Sequence, residues 1–313
     1  MSSYQTRAGD RFWEGFWQLA DPKIWIASTV PMALAAALAY GLEGKFNFFW
    51  FALTLLGIYL IEIGKNAINE YVDYQSGVDR FVTPDKRTPF SGGKKAIVQG
   101  KLNLQQTAWI ALVTMLGGCL VGLVIVLFRE PGVFWIGLAG AAMATFYSLP
   151  PFKFSYRGLG ELAVGITFGP LIVSGTYLVQ TGAINLPVIL ASFPLGFLIA
   201  NVLWINQYPD VEADAMGEKL NLVVRLGKRK SVQVYKGLFA AAYLSVLVLI
   251  FVTGNILWAL AFLSIPLAVR GMRVASRHYD HVPRLVEANL KTIQVYQVTG
   301  VGMVLAALLP RLC

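Results

Sequence analysis

The chain has 313 residues, of which 56% are hydrophobic and only 14% charged, with a formal net charge of +9 and a mean hydropathy of +0.60. Soluble domains carry about 25% charged residues, so a water-soluble globule is excluded. The shortage of charge also excludes intrinsic disorder, and having only Cys119 and Cys313 excludes a disulfide scaffold or a cysteine metal site. What remains is an all-α, polytopic membrane protein.

Residues 1–23 are polar and charged and show no short apolar core with a small-residue cleavage site, so no cleavable signal is expected. Phe12, Trp13, Phe16 and Trp17 recur there at helical spacing among charges, which predicts a helix lying in the membrane interface. Apolar stretches of about 20 residues then predict nine spans. They fall at 24–43, 47–74, 105–128, 131–148, 159–180, 185–208, 231–253, 255–270 and 288–310. Pro131-Gly132, Pro150-Pro151, Gly182 and Gly254 punctuate the junctions.

Of the 26 Lys and Arg residues, 20 fall in the N-terminal segment, Arg7 included, and in the loops after spans two, four, six and eight. This bias predicts a cytoplasmic N-terminus in a cell-membrane protein, with the long loops also cytoplasmic. Together with an anionic ligand handled by those loops it accounts for the net charge, so a nucleic-acid partner is not expected.

Ionisable residues inside spans cost about 2.5 to 3.5 kcal/mol each, so each is a functional candidate. Span two holds Glu62, Lys65, Glu70 and Asp73. At 100° per residue, Glu62, Asn66, Asn69, Glu70 and Asp73 share about 100° of one helix face. Asp79, Asp85 and a basic loop follow. The end of span six repeats the pattern: Asn69-Glu70-Tyr71-Val72-Asp73 is echoed by Asn206-Gln207-Tyr208-Pro209-Asp210, 137 residues on, with Glu212 and Asp214 beyond. The echo predicts two related four-helix halves, at 24–148 and 159–270, with a ninth helix at 288–310. Their acidic ends would face a central cavity open to the cytoplasmic side.

Carboxylates and Asn amides converging on one cavity repel unless cations sit between them, and such oxygen ligands suit Mg²⁺ bridging to a diphosphate. Arg87, Lys94, Lys95, Lys153, Arg157, Lys219 and Arg225 would neutralise the remaining diphosphate oxygens. The plain alternative for the acids is a polar helix interface, against which two copies at one offset weigh. Positive-inside topology accounts equally well for Lys153 and Arg157. Arg225, Lys228, Arg229 and Lys230 read mostly as surface charges, and His278 and His281 as solvated loop residues. Tyr147 and Glu161 could be a packed aromatic and a helix N-terminal acid, and the small-residue run at 137–144 reads as close helix packing.

The paired motifs NEYVDYQSGVD and NQYPDVEAD resemble the two aspartate-rich motifs of the UbiA-type intramembrane prenyltransferases. The stretch YSLPPFKFSYRGLGELAVGITFG resembles the subgroup that prenylates 1,4-dihydroxy-2-naphthoate. The resemblance implies nine transmembrane helices in two four-helix halves plus one. It implies that Glu70, Asp73, Asp79, Asp210 and Asp214 hold Mg²⁺, and that Asn66, Asn69 and Asn206 help bind the diphosphate, to which the basic residues Arg87 and Lys219 named above would add. Glu70 stands where the family usually has Asp, and Pro209 replaces a basic residue common in the naphthoate subgroup. The implied reaction joins a polyprenyl diphosphate to an aromatic acceptor. Asp73 and Asp210 act through the metal, the Tyr147 ring stabilises the allyl cation, and Lys153 or Arg157 holds the acceptor carboxylate. Other acceptors remain open: 4-hydroxybenzoate, homogentisate, a chlorophyll-type ring or a glycerol phosphate lipid. The competing class is a cation-coupled secondary transporter, although transporters keep their coupling acids near the bilayer midplane and these cluster at the ends of spans.

Overall fold

A computed structural model describes residues 8–83, 86–91 and 93–312. Arg7, Asp85 and Cys313, which enter the charge and cysteine readings above, lie outside the described residues. Among the described residues the structure is all helical, with no strand beyond an isolated bridge between Thr88 and Ser91.

Helix α1 (Ala8–Ala20) is amphipathic: Trp13 and Trp17 are exposed while Leu19 and Ala20 are fully buried. A 3-10 turn at Pro22–Trp25 leads into α2 (Ile26–Glu43), which ends where Gly44 takes a left-handed conformation. Helix α3 (Phe48–Ser76) starts at Asn47, whose side chain accepts from the Trp50 N–H, and runs 29 residues to Gly77. The short α4 (Val78–Phe81) opens a long loop that ends at the capping box Asn103/Gln106 of α5 (Leu104–Phe128). After α6 (Val133–Phe146) comes a loop with a 3-10 turn at Phe154–Tyr156.

Helix α7 (Gly160–Ile166) passes through a wider π-helical stretch, Thr167–Leu171, into α8 (Ile172–Thr181). Pro170 lies in that stretch and has no N–H to give the α-helical ladder, a setting where the wider turn is expected. Asn185 caps α9 (Leu186–Asn206). The short α10 (Val211–Met216) and α11 (Leu222–Leu226) precede α12 (Lys228–Thr253). A 3-10 stretch, Ile256–Ser264, then continues into α13 (Ile265–His278), and α14 (Val282–Leu312) closes the chain.

Eight helical stretches among the described residues are long and apolar enough to cross a membrane, the first running Arg11–Glu43 through the bend between α1 and α2. The fourth expected span, 131–148, is instead the 14-residue α6. Pro131-Gly132 delays its start and the Pro150-Pro151 turn cuts it off, leaving it shorter than the ~20 residues a full crossing needs. Large side chains such as Phe251 and Phe128 point outward, 91% and 73% exposed, as a lipid-facing surface requires.

The main core joins α2, α8, α9, α12, α13 and α14 through Tyr177, Leu195, Trp204, Tyr235, Phe239 and Tyr296. A second cluster ties α1 to α3 and α5 through Leu19, Ile63, Ala67, Leu102 and Ile110, with Tyr156 at its edge. Loops 82–103 and 207–227 meet at one end of the bundle, where Lys86 pairs with Glu212 at 3.0 Å.

Helices α2 and α14 touch where Gly41 faces the Ala307 carbonyl, and a Cβ at Gly41 would overlap that oxygen. Gly41→Ala is therefore expected to destabilise the protein by about 1–3 kcal/mol. Gly122→Ala, where a Cβ meets open space, should stay within about 0.5 kcal/mol of wild type. Unfolding of the purified proteins in one detergent measures both.

Candidate active site

The polar stripe of α3 is buried except for the half-buried Asn69, and its members are fastened to four different parts of the chain. Glu62 accepts from the Ser28 hydroxyl at 2.5 Å, and the Asn66 amide donates to the Leu19 carbonyl at 3.2 Å. Asn69 donates to Ser148 at 3.1 Å and to Asp73 at 3.0 Å. Both oxygens of Glu70 accept backbone N–H groups, from Lys95 and Ile97, each at 3.0 Å. Glu70 thus holds loop 93–101 against the helix.

Asp73 is the hub. One carboxylate oxygen accepts from the Tyr156 hydroxyl at 2.7 Å and the other from the Lys219 ammonium at 2.7 Å. These bonds bring the loop after α6 and the loop after α10 onto α3. Asp79 is 1% exposed in α4, with one oxygen buried and lacking a hydrogen-bond partner. Gly93, at φ +72°, lets its backbone pass close against that carboxylate where a side chain could not fit. Asp214 is buried in α10 and accepts from the Asn221 amide at 2.7 Å. Asp210 stands at the start of α10, and its carbonyl accepts from the Asp214 N–H.

Electrostatics shows that these acids share one field. Burial, followed by the charges of Asp73, Glu70 and Asp210, pushes the Asp79 carboxyl up to about 8. Burial likewise pushes Asp214 up to about 7, with Asp210 and Asp73 adding to the push while Lys219 and Asn221 oppose it. Burial works against the charge of Lys219, but Asp73 and Asp214 outweigh it and hold the ammonium well above its ordinary range. Among the described residues, no three Asp, Glu, His or Cys side chains already stand close enough to grip one ion. The donor set nonetheless fits a divalent cation in kind: oxygen ligands only, mutually repelling, with one buried Asp79 oxygen unpartnered.

Below the acids lies a cavity of about 470 Å³ between α3, α5, α6 and the α7–α8 helix. Its wall is apolar apart from a few groups that include Glu62, Lys65 and Tyr147. The Lys65 ammonium stands 5.7 Å from the centroid of the Tyr147 ring. Gly137, Gly140, Ala141 and Ala144 also line the cavity, and a Cβ at Gly137 or Gly140 would meet nothing within 4 Å. The small-residue run of α6 therefore shapes a cavity and does not pack tightly against a helix, a correction to the sequence expectation.

The remaining expected site residues are distributed differently. Asn206 accepts from the Asn289 amide of α14 at 2.7 Å. Lys153, at φ 47°, holds its ammonium 5.1 Å from the Tyr156 ring centroid, and Arg157 and Arg87 are exposed. Sequence reasoning missed Tyr156 and Ser148, neutral groups that orient Asp73 and Asn69. Their one signal is a position in the stretch between the two acidic motifs.

The sequence pattern of the UbiA prenyltransferase family matches residues 29–291. The chain belongs to the UbiA prenyltransferase family. The 1,4-dihydroxy-2-naphthoate octaprenyltransferase of Bacillus subtilis is 30% identical to this prenyltransferase over 258 residues, covering 82% of this chain and 80% of that one. The 2-carboxy-1,4-naphthoquinone phytyltransferase of Synechocystis is 28% identical over 297 residues, 91% of this chain and 90% of its own. Among solved structures, a UbiA homolog from Archaeoglobus fulgidus bound to GPP and Mg²⁺ superposes with a TM-score of 0.62 at 15% identity, over 92% of this chain and 99% of that one. The protein is thus a membrane-embedded prenyltransferase enzyme with the UbiA fold, and the transporter alternative falls away.

Glu70→Ala leaves the Lys95 and Ile97 N–H groups without their acceptor, a loss of about 1–3 kcal/mol of local stability for each buried group. Hydrogen exchange of the purified prenyltransferase is expected to show faster exchange confined to loop 93–101 and the facing turns of α1. Unchanged protection of that loop would contradict the anchoring role.

Proposed function

We propose that this prenyltransferase transfers a polyprenyl group from a polyprenyl diphosphate to 1,4-dihydroxy-2-naphthoate in a Mg²⁺-dependent reaction, releasing diphosphate and CO₂. The site would open on the cytoplasmic side of the cell membrane, where the N-terminus also lies. The observation that carries the reading is a juxtaposition: the acid cluster around Lys219 sits one to three helical turns along α3 from an apolar cavity inside the bundle. A charged head and a long apolar tail on one substrate match those two compartments. The names of the Bacillus and Synechocystis relatives, both enzymes of carboxylated naphthalene rings, support the acceptor. The Archaeoglobus neighbour, with its GPP and Mg²⁺, supports the diphosphate and the metal.

In this reading Asp73, Asp79, Asp210 and Asp214 would hold the metal ions, while Glu70 keeps loop 93–101 against α3. Bound Mg²⁺ supplies neutralisation of the negative charge that grows on the departing diphosphate. Lys219, which now pairs with Asp73, would be free to bond a diphosphate oxygen when those carboxylates hold metal, and Lys95, Lys94 and Arg87 would add positive charge at the same mouth. Tyr156 and Asn69 keep Asp73 oriented. The allylic C–O bond breaks with its electron pair going to the diphosphate, and the surrounding helices exclude the water that would quench the cation. The Tyr147 ring faces the cavity where that charge develops. The acceptor ring carbon bearing the carboxylate forms the new C–C bond, and CO₂ leaves.

The purified enzyme with radiolabelled polyprenyl diphosphate and Mg²⁺ is expected to make a lipid product and CO₂ with 1,4-dihydroxy-2-naphthoate, and none with EDTA. Asp73→Asn and Asp210→Asn should each lower turnover by about 100-fold or more. Full turnover in both variants would remove them from the metal site, and product formed only with 4-hydroxybenzoate or a glycerol phosphate lipid would reassign the acceptor.

If the tail occupies the cavity, Gly140→Leu fills open space on its wall. The ratio of kcat/KM for long-chain over short-chain polyprenyl diphosphates is expected to fall in this variant by about tenfold, equal to about 1.4 kcal/mol of lost fit. An unchanged ratio would place the tail elsewhere.

A further inference from the structure

Two polar groups of the cavity wall, Glu62 buried and Lys65 half-buried, take no part in the acid cluster. Glu62 and Lys65 lie three residues apart on α3, which makes them neighbours on one helix face, and both line the cavity. Glu62 is 6% exposed; one oxygen accepts from Ser28, and the other is buried without a hydrogen-bond partner. Lys65 makes no hydrogen bond or ion pair among the described residues, its ammonium standing over the face of Tyr147. Their opposite charges attract, but the second Glu62 oxygen and the Lys65 ammonium each lack a hydrogen-bond partner among the described residues in an apolar wall, so a ligand that supplies both bonds is the natural occupant. That ligand offers an anion to Lys65 and, on the adjacent atom, a hydroxyl donor to Glu62.

We infer that Glu62 and Lys65 form the acceptor subsite, Lys65 receiving the ring carboxylate and Glu62 taking the proton of the neighbouring ring hydroxyl. The inference rests on the naphthoate reading above, and a ring with a carboxylate beside a hydroxyl meets the pair in full. Lys153 and Arg157, the other candidates for the carboxylate, are not part of the cavity wall: Lys153 lies over Tyr156 and Arg157 is exposed.

The chemistry balances on Glu62. The hydroxyl proton passes to its unpartnered oxygen, the O–H electron pair moves into the ring, and the carboxylated carbon bonds to the allyl cation that the departed diphosphate leaves. The adduct is a β-keto carboxylate. Its C–CO₂ bond breaks, the electron pair returns to the keto oxygen, and that oxygen regains the proton from Glu62. No proton, electron or co-reactant is left over.

Steady-state kinetics of the full-length enzyme with two acceptors, 1,4-dihydroxy-2-naphthoate and 1,4-naphthalenediol, which lacks the carboxylate, tests the assignment. Lys65→Met is expected to raise KM for the carboxylated acceptor about 10- to 100-fold. KM for the diphosphate and use of the diol should stay at wild-type values, and Lys65→Arg should recover part of the loss. Glu62→Gln is expected to lower kcat by about 100-fold at little change in acceptor KM, with partial recovery in Glu62→Asp. Wild-type KM in Lys65→Met, or wild-type kcat in Glu62→Gln, overturns the inference while leaving the naphthoate reading intact. A wild-type enzyme inert toward 1,4-dihydroxy-2-naphthoate but active on a ring without a carboxylate overturns both.

A second measurement needs no variant. In 1-hydroxy-2-naphthaldehyde the aldehyde takes the place of the carboxylate and condenses with a lysine amine to an imine, losing water, which borohydride reduces to a stable amine. Mass mapping of the wild-type enzyme is expected to find the label on Lys65; label on Lys153 or another lysine instead overturns the assignment.

Discussion

The Asp73–Lys219 ion pair, 2.7 Å long, joins two distant parts of the chain at the centre of the acid cluster. Asp73 sits at the end of a long helix of the first part of the chain, and Lys219 in a loop 146 residues further on. Burying several acids together at a membrane surface is unfavourable unless positive charge comes with them. Lys219 brings one positive charge, and Asp73 and Asp214 hold it protonated far above its ordinary range. Loop closure around the site follows from the same requirement. Glu70 fastens loop 93–101, Gly93 lets that loop press on Asp79, and Gly217 lies so close to Val78 that α4 and the end of α10 meet almost backbone to backbone.

Helix α3 acts as the ruler of the site. Its residues 62, 65, 69 and 73 fall on one face at steps of three and four, so one straight helix sets the depth of each chemical zone. Asp73 and Asn69 lie in the charged mouth, and Lys65 and Glu62 lie deeper, in the cavity wall. The bonds that fix its height come from every side: α1 through Leu19, α2 through Ser28 and the loop after α6 through Ser148 and Tyr156. The interfacial helix α1 is therefore tied to the same framework. Its Glu14 and Gln18 bond Lys101, and Asp21 pairs with Lys94, so the loop held by Glu70 is held from outside as well.

Much of this was legible in the sequence, for identifiable reasons. Span positions emerge from apolar runs bounded by Gly, Pro and Asn, and most observed helices begin and end within a few residues of the expected bounds. The acids stood out because a membrane tolerates few of them, and their repeat at an offset of 137 marked Asp73 and Asp210 together. Neutral partners were invisible for the converse reason: Tyr156 and Ser148 carry no cost that singles them out, and their bonds to Asp73 and Asn69 span about 80 residues of chain. Basic loop residues carried less information, since a positive-inside bias alone also predicts basic loops. Lys219 was one of seven equivalent candidates in sequence, and only packing separates it from exposed Arg87 and Arg157. Lys65 lay in plain view among the charges of α3, but its place in the cavity wall depends on which way the helix faces, which periodicity alone does not fix.

Helix α6 shows how the lipid-facing architecture and the site constrain each other. A run of Gly and Ala in a membrane helix ordinarily allows another helix to approach, and the same residues here border empty volume. The difference lies in what surrounds them. Pro131-Gly132 and the Pro150-Pro151 turn leave α6 only 14 residues long, and the last residues of the run reach Tyr147 and Ser148, which already belong to the site. Small side chains on this short helix line the same cavity as Lys65 of α3, whose ammonium stands over Tyr147. The small residues that border the apolar volume and the polar groups that face it thus come from different helices, α6 and α3. Changes of wall size on α6 can alter what fits without disturbing the charges that α3 holds in place.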